Sequence, residues 1–311
     1  MLDSIHHAHG RRRRFRKSVW RAAIAAYRLA GRIRLEPPYR LRIKTYSPAP
    51  QQWPKGLVLS VAGIADIHFG EPYMGLDRLQ TIVKTTNEAA PDVIVLLGDY
   101  GATHHDENSY PEAIRIFADA ARHLSAPLGV FAIMGNHDWS DDAEARARGH
   151  GPVLASRALN AVGITVLEND AVQLHQQGQA FWLAGLGDQL ARLGMMQGND
   201  DLAGTMSKIS DDAPAILLAH EPDIFPSVPA RFALTLAGHT HGGQIRILGR
   251  TPYVPSRYGS RYVHGHIVED GRHLIVSAGV GVSDLPLRLG VAPEIVMVQL
   301  GDKDCLTEES A

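Results

Sequence analysis

The chain is poor in cysteine, in aromatic residues and in long apolar runs. Its 311 residues include one cysteine, Cys305, so no disulfide bond can form within the chain, and a reducing compartment is permitted. Aromatic residues make up 6% of the sequence, which does not suggest the stacking platforms of single-strand nucleic-acid binders. The apolar stretch Ala22 to Tyr27 is far shorter than the ~20 residues of a membrane-spanning helix. With 45% hydrophobic and 21% charged residues, the composition is that of a soluble globular protein.

Negative charge is scarce at the start of the chain and abundant after it. Residues 1–44 contain 13 Lys and Arg against 2 acidic residues, whereas the remainder contains 18 against 31. Such a basic block typically marks an interaction segment. We therefore divide the chain into a basic arm (1–44), a catalytic domain (45–301) and a polar tail (302–311). The domain is long enough for one large core.

The arm has the pattern of a basic amphipathic helix that ends before Glu36-Pro37-Pro38. Its cationic stripe consists of Arg14, Lys17, Arg21, Arg28 and Arg32, and its flanks carry Trp20, Ile24 and Tyr27. Residues 1–36 are thus expected to lie on an anionic membrane surface, which predicts a cytoplasmic protein peripheral to the inner face of the membrane. Two alternatives stay open: export through a twin-arginine-like signal at Arg12-Arg13, and a disordered or nucleic-acid-binding arm.

Five short polar fragments follow apolar, β-prone runs, and such runs are typical of buried strands. The runs are Leu57 to Ile64, Val93 to Leu97, Val130 to Met134, Ala215 to Ala219 and Phe232 to Ala237. The fragments are Asp66-Ile67-His68, Gly98-Asp99, Gly135-Asn136-His137-Asp138, His220 and Gly238-His239-Thr240-His241. An α/β protein binds its ligand at the carboxyl ends of its strands, so we expect these side chains to share one edge of a sheet.

This ordered set resembles the calcineurin-like metallophosphoesterase superfamily over about Leu57 to Leu300. The stretches around His220-Glu221-Pro222-Asp223, Gly242-Gly243-Gln244-Ile245 and Pro286-Leu287-Arg288 are similar to its bacterial branch of predicted phosphohydrolases. The resemblance implies a four-layer α-β-β-α sandwich of two mixed sheets, whereas periodicity alone gives only α/β. Within it we expect helices at Leu76 to Ala89, Tyr110 to Leu124 and Ala143 to Val162, the last one interrupted at Gly149 and Gly151. The segments Thr165 to Leu167, Ala171 to Leu174 and Phe181 to Leu186 are expected to begin the second sheet.

The resemblance also implies a site for two divalent ions. Asp66, His68, Asp99 and His241 would hold one ion, and Asp99, Asn136, His220 and His239 would hold the other. Two ions about 3.5–4 Å apart need a shared anionic ligand, and the short carboxylate of Asp99 suits that position. The mixed oxygen and nitrogen ligands favour manganese, iron, zinc or nickel over calcium.

His137 is not needed as a ligand, so we expect it to stabilise the substrate phosphate and to protonate the leaving oxygen. Asp138 is expected to orient its imidazole. The nucleophile implied is a hydroxide between the two ions. Substrate contacts are expected from His104 and His105, in a loop after Asp99, and from Arg288, although solvated or supporting roles are the alternatives there.

The sequence thus predicts a binuclear metal-dependent phosphoesterase that hydrolyses a phosphomonoester, a phosphodiester or a pyrophosphate. The basic arm favours a membrane-proximal or lipid-linked substrate, for example a compound of the UDP-diacylglucosamine type. A catalytically weak regulatory or scaffolding protein with a structural metal centre is the alternative, and His137 argues against it. A nucleic-acid substrate is disfavoured, because the sequence lacks a basic catalytic face as well as stacking platforms.

Overall fold

The computed structural model describes residues 40–70, 73–101, 109–191, 198–247, 249–283 and 287–301. Most of the expected arm, the expected tail, and His104 and His105 lie outside these ranges. Within them, no helix is both long enough and apolar enough to cross a membrane.

Strands and helices alternate along most of the chain. The strands are β1 (Arg42–Tyr46), β2 (Leu59–Ile64), β3 (Val93–Leu96), β4 (Val130–Ala132), β5 (Thr165–Val166), β6 (Asp170–Gln176), β7 (Gln179–Gly185), β8 (Ala215–Leu218), β9 (Phe232–Ala237), β10 (Gly265–Glu269), β11 (Arg272–Val276) and β12 (Glu294–Leu300). The helices are α1 (Leu76–Glu88), α2 (Tyr110–Ala121), α3 (Asn136–Ser140), α4 (Ala143–Arg148), α5 (Leu154–Ala161) and α6 (Leu202–Ser207). Two 3₁₀ helices, Pro222–Ser227 and His241–Gly243, follow β8 and β9.

The strands form two six-stranded sheets, with the orders β1-β12-β2-β3-β4-β5 and β10-β11-β9-β8-β7-β6. In the first sheet β12 runs antiparallel to β2, while β2, β3, β4 and β5 are parallel neighbours. In the second sheet β7, β8, β9 and β11 are parallel neighbours, and antiparallel strands lie at both edges. Both sheets are therefore mixed, as expected.

The two sheets pack face to face. The core between them contains side chains such as Val61 and Val95 from the first sheet and Leu183, Leu218 and Leu236 from the second. Branched and aliphatic residues on both faces explain why the central strands are continuous apolar runs and not alternating ones.

Helices cover the outer face of each sheet to different depths. Helices α1, α2 and α5 bury side chains such as Ile82, Phe117 and Leu159 against the first sheet. The second sheet is covered more thinly, by the 3₁₀ helix that carries Phe225 and by partly buried Leu202 and Met206 of α6. The four-layer α-β-β-α prediction is confirmed, with a thin outer layer on the second sheet.

One expectation about an individual element was wrong. The segment Thr165–Val166 is not part of the second sheet, because β5 pairs in parallel with β4 at the edge of the first sheet. The helical segment expected from Ala143 to Val162 is interrupted at Gly149, as its sequence indicates, and forms α4 and α5, because Gly149 adopts a left-handed conformation, with φ of 73°, at the end of α4. The carboxylate of Asp142 joins the two helices, accepting hydrogen bonds from Ala145 N at 2.9 Å and Leu154 N at 2.7 Å.

The first strand lies across the boundary expected between residues 44 and 45. Strand β1 pairs in parallel with β12, from Arg42 opposite Glu294 to Tyr46 opposite Val298. The strand is thus an edge strand, as its alternating sequence indicates. The folded part of the chain therefore includes the last residues of the expected arm.

Candidate metal centre

Parallel strands from both sheets end at one site. Asp66 and His68 follow β2, Asp99 follows β3, and Asn136 begins α3 after β4. From the second sheet, His220 follows β8, while His239 and His241 follow β9. Because consecutive parallel strands end at the same edge, the fold gathers seven polar side chains that are far apart in sequence.

The first group consists of Asp66, His68 and His241. One potential ligand atom from each lies within 4.8 Å of the other two, and all three side chains are buried. His68 Nε2 is 3.2 Å from His241 Nε2, and His241 Nε2 is 3.9 Å from Asp66 Oδ1. Two imidazole nitrogens so close to a carboxylate form an arrangement that a divalent cation can fill.

The second group consists of Asp99, His220 and His239, with the same 4.8 Å closeness. His220 Nδ1 is 2.6 Å from the carbonyl oxygen of Leu97, which can only accept a hydrogen bond. Nδ1 therefore carries a proton, and Nε2 is left to face the site. Nε2 lies 3.2 Å from Asp99 Oδ2.

Asp99 joins the two groups. Its Oδ2 is 3.2 Å from His220 Nε2 in its own group and 3.5 Å from His68 Nε2 in the other. Its Oδ1 accepts a hydrogen bond of 2.8 Å from the backbone N–H of His137. One carboxylate thus has an oxygen between the two sets of histidines and its other oxygen fixed by the backbone.

Buried oxygen atoms without hydrogen bonds point to cations at this site. Within the described ranges, Asp66 Oδ2 and Asn136 Oδ1 have no hydrogen-bond partner, although their residues are 0% and 8% exposed. Leaving a buried acceptor unsatisfied is costly, and a bound cation would remove that cost. The donor set therefore fits the divalent metal ions that the sequence predicts.

The carboxylates of the two groups have opposite pKa shifts. Burial is the main cause that raises the pKa of Asp66 to about 7, with Asp99 adding to the effect and His220 opposing it. Burial also acts to raise the pKa of Asp99, but His220, His137 and His68 outweigh it and hold that pKa well below its usual range. Asp99 therefore remains an anion between the two groups of histidines.

The histidines also differ in their pKa shifts. Burial opposes protonation of His220, but Asp99 raises its pKa well above the usual value. Burial lowers the pKa of His241, and the neighbouring His68 and Arg288 lower it further. Burial lowers the pKa of His239 as well, although Glu221 opposes the shift. Neutral His239 and His241 present the lone pairs that a metal ion requires.

The backbone at this site has an uncommon conformation. Ten described non-glycine residues have positive φ, and five of them are predicted ligands: Asp66, His68, Asp99, His239 and His241. Left-handed backbone costs a non-glycine residue about 1–3 kcal/mol. The strand ends are therefore strained where the ligands lie.

Two glycines allow the close approach of these strand ends. A Cβ atom at Gly98, whose φ is +93°, would lie 2.6 Å from Gly135 N and 2.7 Å from His220 Nδ1. A Cβ atom at Gly135 would lie 2.8 Å from Asp99 N. Only glycine leaves room for the turns after β3 and β4 at this distance.

His137 lies beside the ligands, at the mouth of a cavity. Its ring centroid is 5.0 Å from that of His68, and 33% of its side chain is exposed. The carboxylates of Asp99 and Asp141 raise the pKa of His137 to about 9 against the effect of burial. A protonated imidazole at this place can bind a phosphate or donate a proton to it.

The expected contact between Asp138 and the imidazole of His137 was wrong. Asp138 is fully buried, and its carboxylate accepts backbone hydrogen bonds from Asp99 at 2.9 Å, Tyr100 at 3.0 Å and Gly135 at 2.9 Å. The carboxylate beside the imidazole is that of Asp141, whose Oδ2 is 3.4 Å from His137 Nδ1. The reason is helical geometry: residues 137 and 141 lie four apart, on one face of the turn that α3 begins.

Arg288 does not reach the cavity, so the expected substrate contact was wrong. The residue is 0% exposed, and its guanidinium donates to Gly281 O at 2.7 Å, to Ala278 O at 2.6 Å and to His241 O at 3.5 Å. The alternative, that Arg288 supports its loop, agrees with these bonds. The other predicted substrate residues, His104 and His105, lie outside the described ranges.

Two buried carboxylic acids near the second set of predicted ligands were not predicted as site residues from the sequence. Asp188 and Glu221 are 1% and 3% exposed, and they form a third close group with His220. A signal for Asp188 was available, because Gly187-Asp188 follows the apolar strand β7 as Gly98-Asp99 follows β3.

A cavity of about 370 Å³ opens onto the site. It is lined by Asp99, Asn136, His137, His239 and His241. The same cavity is lined by the loop after His241, including Ile245, Pro252, Tyr253 and Pro255. The cavity lining thus combines predicted metal ligands with apolar side chains, as substrate sites commonly do.

Comparison with known proteins agrees with this geometry. The family model described as calcineurin-like phosphoesterase matches residues 59–243, a range that contains all seven predicted ligands. The chain is 34% identical over 242 residues to the uncharacterized metallophosphoesterase YkuE of Bacillus subtilis (strain 168), covering 77% of this chain and 78% of the relative. It is 32% identical over 241 residues to the phosphodiesterase YaeI of Escherichia coli (strain K12), covering 76% of this chain and 80% of that one.

A third relative is similar over nearly its whole length. An uncharacterized metallophosphoesterase of Aquifex aeolicus (strain VF5) is 29% identical over 266 residues, which cover 85% of this chain and 94% of the relative. The matched region and these identities agree with the convergence of the strand ends at one site. The chain therefore belongs to the calcineurin-like phosphoesterase family, and it is a metal-dependent phosphohydrolase that acts on phosphate esters.

Proposed function

We propose that the chain binds two divalent ions, with Asp99 between them, and hydrolyses a phosphate ester that carries an apolar group. The observation that carries the first part is the position of Asp99 Oδ2, 3.2 Å from His220 Nε2 and 3.5 Å from His68 Nε2. The proposed ligands of one ion are Asp66, His68, Asp99 and His241, and those of the other are Asp99, Asn136, His220 and His239. Manganese, iron, zinc and nickel all suit such ligands.

The ions, when bound, supply the Lewis acidity and the activation of water that ester hydrolysis requires. His137 binds the phosphate from the open side of the cavity and gives a proton to the leaving oxygen from its ring. The hydrogen bond from its backbone N–H to Asp99 Oδ1 fixes the position of His137 relative to the proposed bridging ligand. Asp141 favours the protonated ring, which an acid must carry before it can donate.

An apolar rim supports the second part of the proposal. We define the rim as Ile245, Ile247, Tyr253 and Leu289. Ile247, Tyr253 and Leu289 are 53%, 74% and 47% exposed. Arg246 N donates to Leu289 O at 2.7 Å, so the segments that carry Ile245 and Ile247 and that carry Leu289 lie side by side.

Exposed apolar side chains beside a catalytic cavity commonly mark a binding site for an apolar group. Because Ile245 and Tyr253 line the same cavity as His137, the rim is placed to hold the alcohol side of an ester whose phosphate faces the metal ligands. A lipid-linked substrate, such as a compound of the UDP-diacylglucosamine type, has the required chemistry.

The basic arm fits such a substrate. Five cationic residues on one stripe would hold residues 1–36 against an anionic membrane surface, each contributing about 1 kcal/mol. We propose this location, on the inner face of the membrane, for the full chain. Export by the twin-arginine-like pattern remains the alternative to be tested.

Metal analysis with a panel of esters tests the two-ion part. The wild-type chain, reconstituted with Mn²⁺, Fe²⁺, Zn²⁺ or Ni²⁺, should hold two ions and hydrolyse at least one ester. Asp99→Asn should reduce the content of both ions, because the shared position loses its charge. His137→Ala should keep both ions and lower kcat by ~10²–10⁴, with a smaller loss for p-nitrophenolate than for an alkoxide leaving group.

Three results would contradict this assignment. Unchanged metal content and turnover in Asp99→Asn would remove the bridging role. Equal losses for both leaving groups in His137→Ala would leave phosphate binding but not proton donation. Full metal content without turnover on any ester would favour the catalytically weak scaffold.

Paired substrates test the apolar part. We expect p-nitrophenyl diesters with a long alkyl chain to have a lower KM than those with a methyl group. Tyr253→Ser should raise KM for the long-chain diester by ~10-fold, which corresponds to about 1.4 kcal/mol of lost contact. The matched control is Tyr258→Ser, which alters an exposed tyrosine that does not line the cavity. Equal KM values for both chain lengths would rule out the rim as a substrate site.

A further inference from the structure

The two proposed metal positions have different buried groups beside them, a guanidinium at one and two carboxyl groups at the other. Arg288 lies next to His241 of the first group, and the carboxyl groups of Asp188 and Glu221 lie next to His220 of the second. None of the three residues is among the proposed ligands. All three are at least 97% buried, so solvent screens their charges weakly.

Arg288 brings a positive charge close to the first position. Its Nη2 is 3.5 Å from His241 Nδ1 and 2.6 Å from the carbonyl oxygen of Ala278, and its Nε is 2.7 Å from the carbonyl oxygen of Gly281. Neutral carbonyls hold the guanidinium in place without cancelling its charge. A cation at His241 Nε2 therefore experiences repulsion from the far side of the same ring.

The carboxyl pair, Asp188 and Glu221, lies close to the second position. Burial and the neighbouring Glu221 raise the pKa of Asp188 well above its usual value, so the two groups do not both ionise without a cation beside them. One oxygen of each group is bound by backbone: Leu190 N donates to Asp188 Oδ1 at 2.8 Å, and Gln189 N donates to Glu221 Oε2 at 3.1 Å. The other two oxygens, Asp188 Oδ2 and Glu221 Oε1, have no hydrogen-bond partner in the described ranges. Both groups have a ligand atom within 4.8 Å of a ring nitrogen of His220.

Since an imidazole nitrogen binds one ion, the ion that His220 holds is also the nearest cation to the carboxyl pair. Unsatisfied buried acceptors beside that ion would gain from its charge, either directly or through a water molecule. Outer groups of this kind typically change metal affinity by 10–100-fold.

We propose that the carboxyl pair gives the position of Asp99, His220 and His239 the higher affinity for a divalent cation, while Arg288 gives the position of Asp66, His68 and His241 the lower one. The two ions then bind in sequence, and the second one to bind is the exchangeable one. This inference rests on the proposed function, because it requires two ions.

Titration of the chelated full chain with Mn²⁺ tests the inference, with free Mn²⁺ followed by electron paramagnetic resonance. The wild type should bind one ion tightly and one at least 10-fold more weakly. Glu221→Gln should weaken the tight step by about 10–100-fold and leave the weak step within about 3-fold. Glu221→Asp, which keeps the charge, should restore the tight step.

Two further variants complete the design. Glu88→Gln removes one carboxylate at the end of α1, where the side chain is 65% exposed, and should change neither step. Asp188→Asn repeats the test on the other member of the pair, so a folding defect in Glu221→Gln, detected by its melting curve, does not prevent a decision.

The outcomes separate this inference from the function on which it rests. Fewer than two bound ions in the wild type would overturn the two-ion function itself. Two ions with equal affinity, or an effect of Glu221→Gln on the weak step alone, would overturn the inference and leave the function in place.

Discussion

Asp138 and Asp141 are expected to have separable roles, one in the backbone around the site and one in the charge of His137. The test is a comparison of Asp138→Asn with Asp141→Asn. Asp138 Oδ2 accepts from two backbone N–H groups and Oδ1 accepts from a third. An asparagine amide can keep two of these bonds, but its NH₂ group then faces the N–H of Tyr100.

The magnitude follows from these three bonds. One buried N–H group loses its acceptor, which costs about 1–3 kcal/mol of stability. Two hydrogen bonds to a charged carboxylate become hydrogen bonds to a neutral amide, which costs about 1 kcal/mol each. Burial and the charge of Asp99 raise the pKa of Asp138, so the ionised carboxylate is itself costly and part of the loss is offset. We expect Asp138→Asn to lower the free energy of unfolding by about 2–4 kcal/mol.

Asp141→Asn should behave differently. The 3.4 Å contact with His137 is between residues four apart on a short helix, and such pairs contribute about 0.3–0.5 kcal/mol. Removing the carboxylate takes away one of the groups that raise the pKa of His137, so that pKa should fall.

Urea denaturation measures the first quantity, and imidazole C–H resonances of the chelated protein, followed against pH, measure the second. A loss of less than about 0.5 kcal/mol in Asp138→Asn would contradict the structural role of Asp138. A larger fall of the His137 pKa in Asp138→Asn than in Asp141→Asn would contradict the role of Asp141.

Three other predictions concern the backbone, the buried carboxylate and the arm. Gly98→Ala should lower the free energy of unfolding by about 2–4 kcal/mol, because the new Cβ would lie 2.6 Å from Gly135 N. The control, Gly271→Ala, has positive φ but no atom within 4 Å of the new Cβ, and should lower it by about 1 kcal/mol. Equal losses would contradict the packing explanation. The pKa of Asp66 is about 7 in the folded protein and 3.8 for an ordinary Asp, so ionisation of Asp66 favours the unfolded state as pH rises. Between pH 4 and 7 the free energy of unfolding of the chelated wild type should fall by up to about 4 kcal/mol relative to that of Asp66→Asn. A difference between the two proteins that does not change with pH would contradict this. Deleting residues 1–36 should abolish salt-sensitive sedimentation with anionic vesicles and leave hydrolysis of a small soluble ester intact; persistent vesicle binding would reject the membrane role of the arm.

Much of the fold could be predicted from the sequence, because buried parallel strands have a distinctive apolar pattern. The strand Phe232–Ala237 has the bounds expected from its sequence, and the other ligand-bearing strands are one or two residues shorter than their apolar runs. Thr165–Val166 was assigned to the wrong sheet, because a two-residue strand at a sheet edge is too short for its sequence pattern to indicate the strand with which it pairs. Tertiary pairing decides that question, and periodicity does not describe it.

The site shows the same division. The strand-end position of each proposed ligand could be read from the chain, since it depends on a local pattern. The partner of His137 could not, because Asp138 directly follows it in sequence, and only the turn of α3 shows that Asp141, four residues on, lies beside its ring. The burial of Arg288 could not be predicted from the sequence either. A long cationic side chain near the site predicts phosphate binding, and only the structure shows that the loop carrying Arg288 buries the side chain.

The left-handed backbone at Asp66, His68, Asp99, His239 and His241 has a consequence for engineering the protein. At these positions, replacement by glycine or asparagine reduces the backbone strain but removes or weakens a proposed ligand. A library selected only for heat resistance should therefore accumulate such replacements and enrich thermostable but inactive clones. Stabilising substitutions are better sought at left-handed positions away from the site, such as Gln177 and Asp270, where glycine removes backbone strain without changing a proposed ligand.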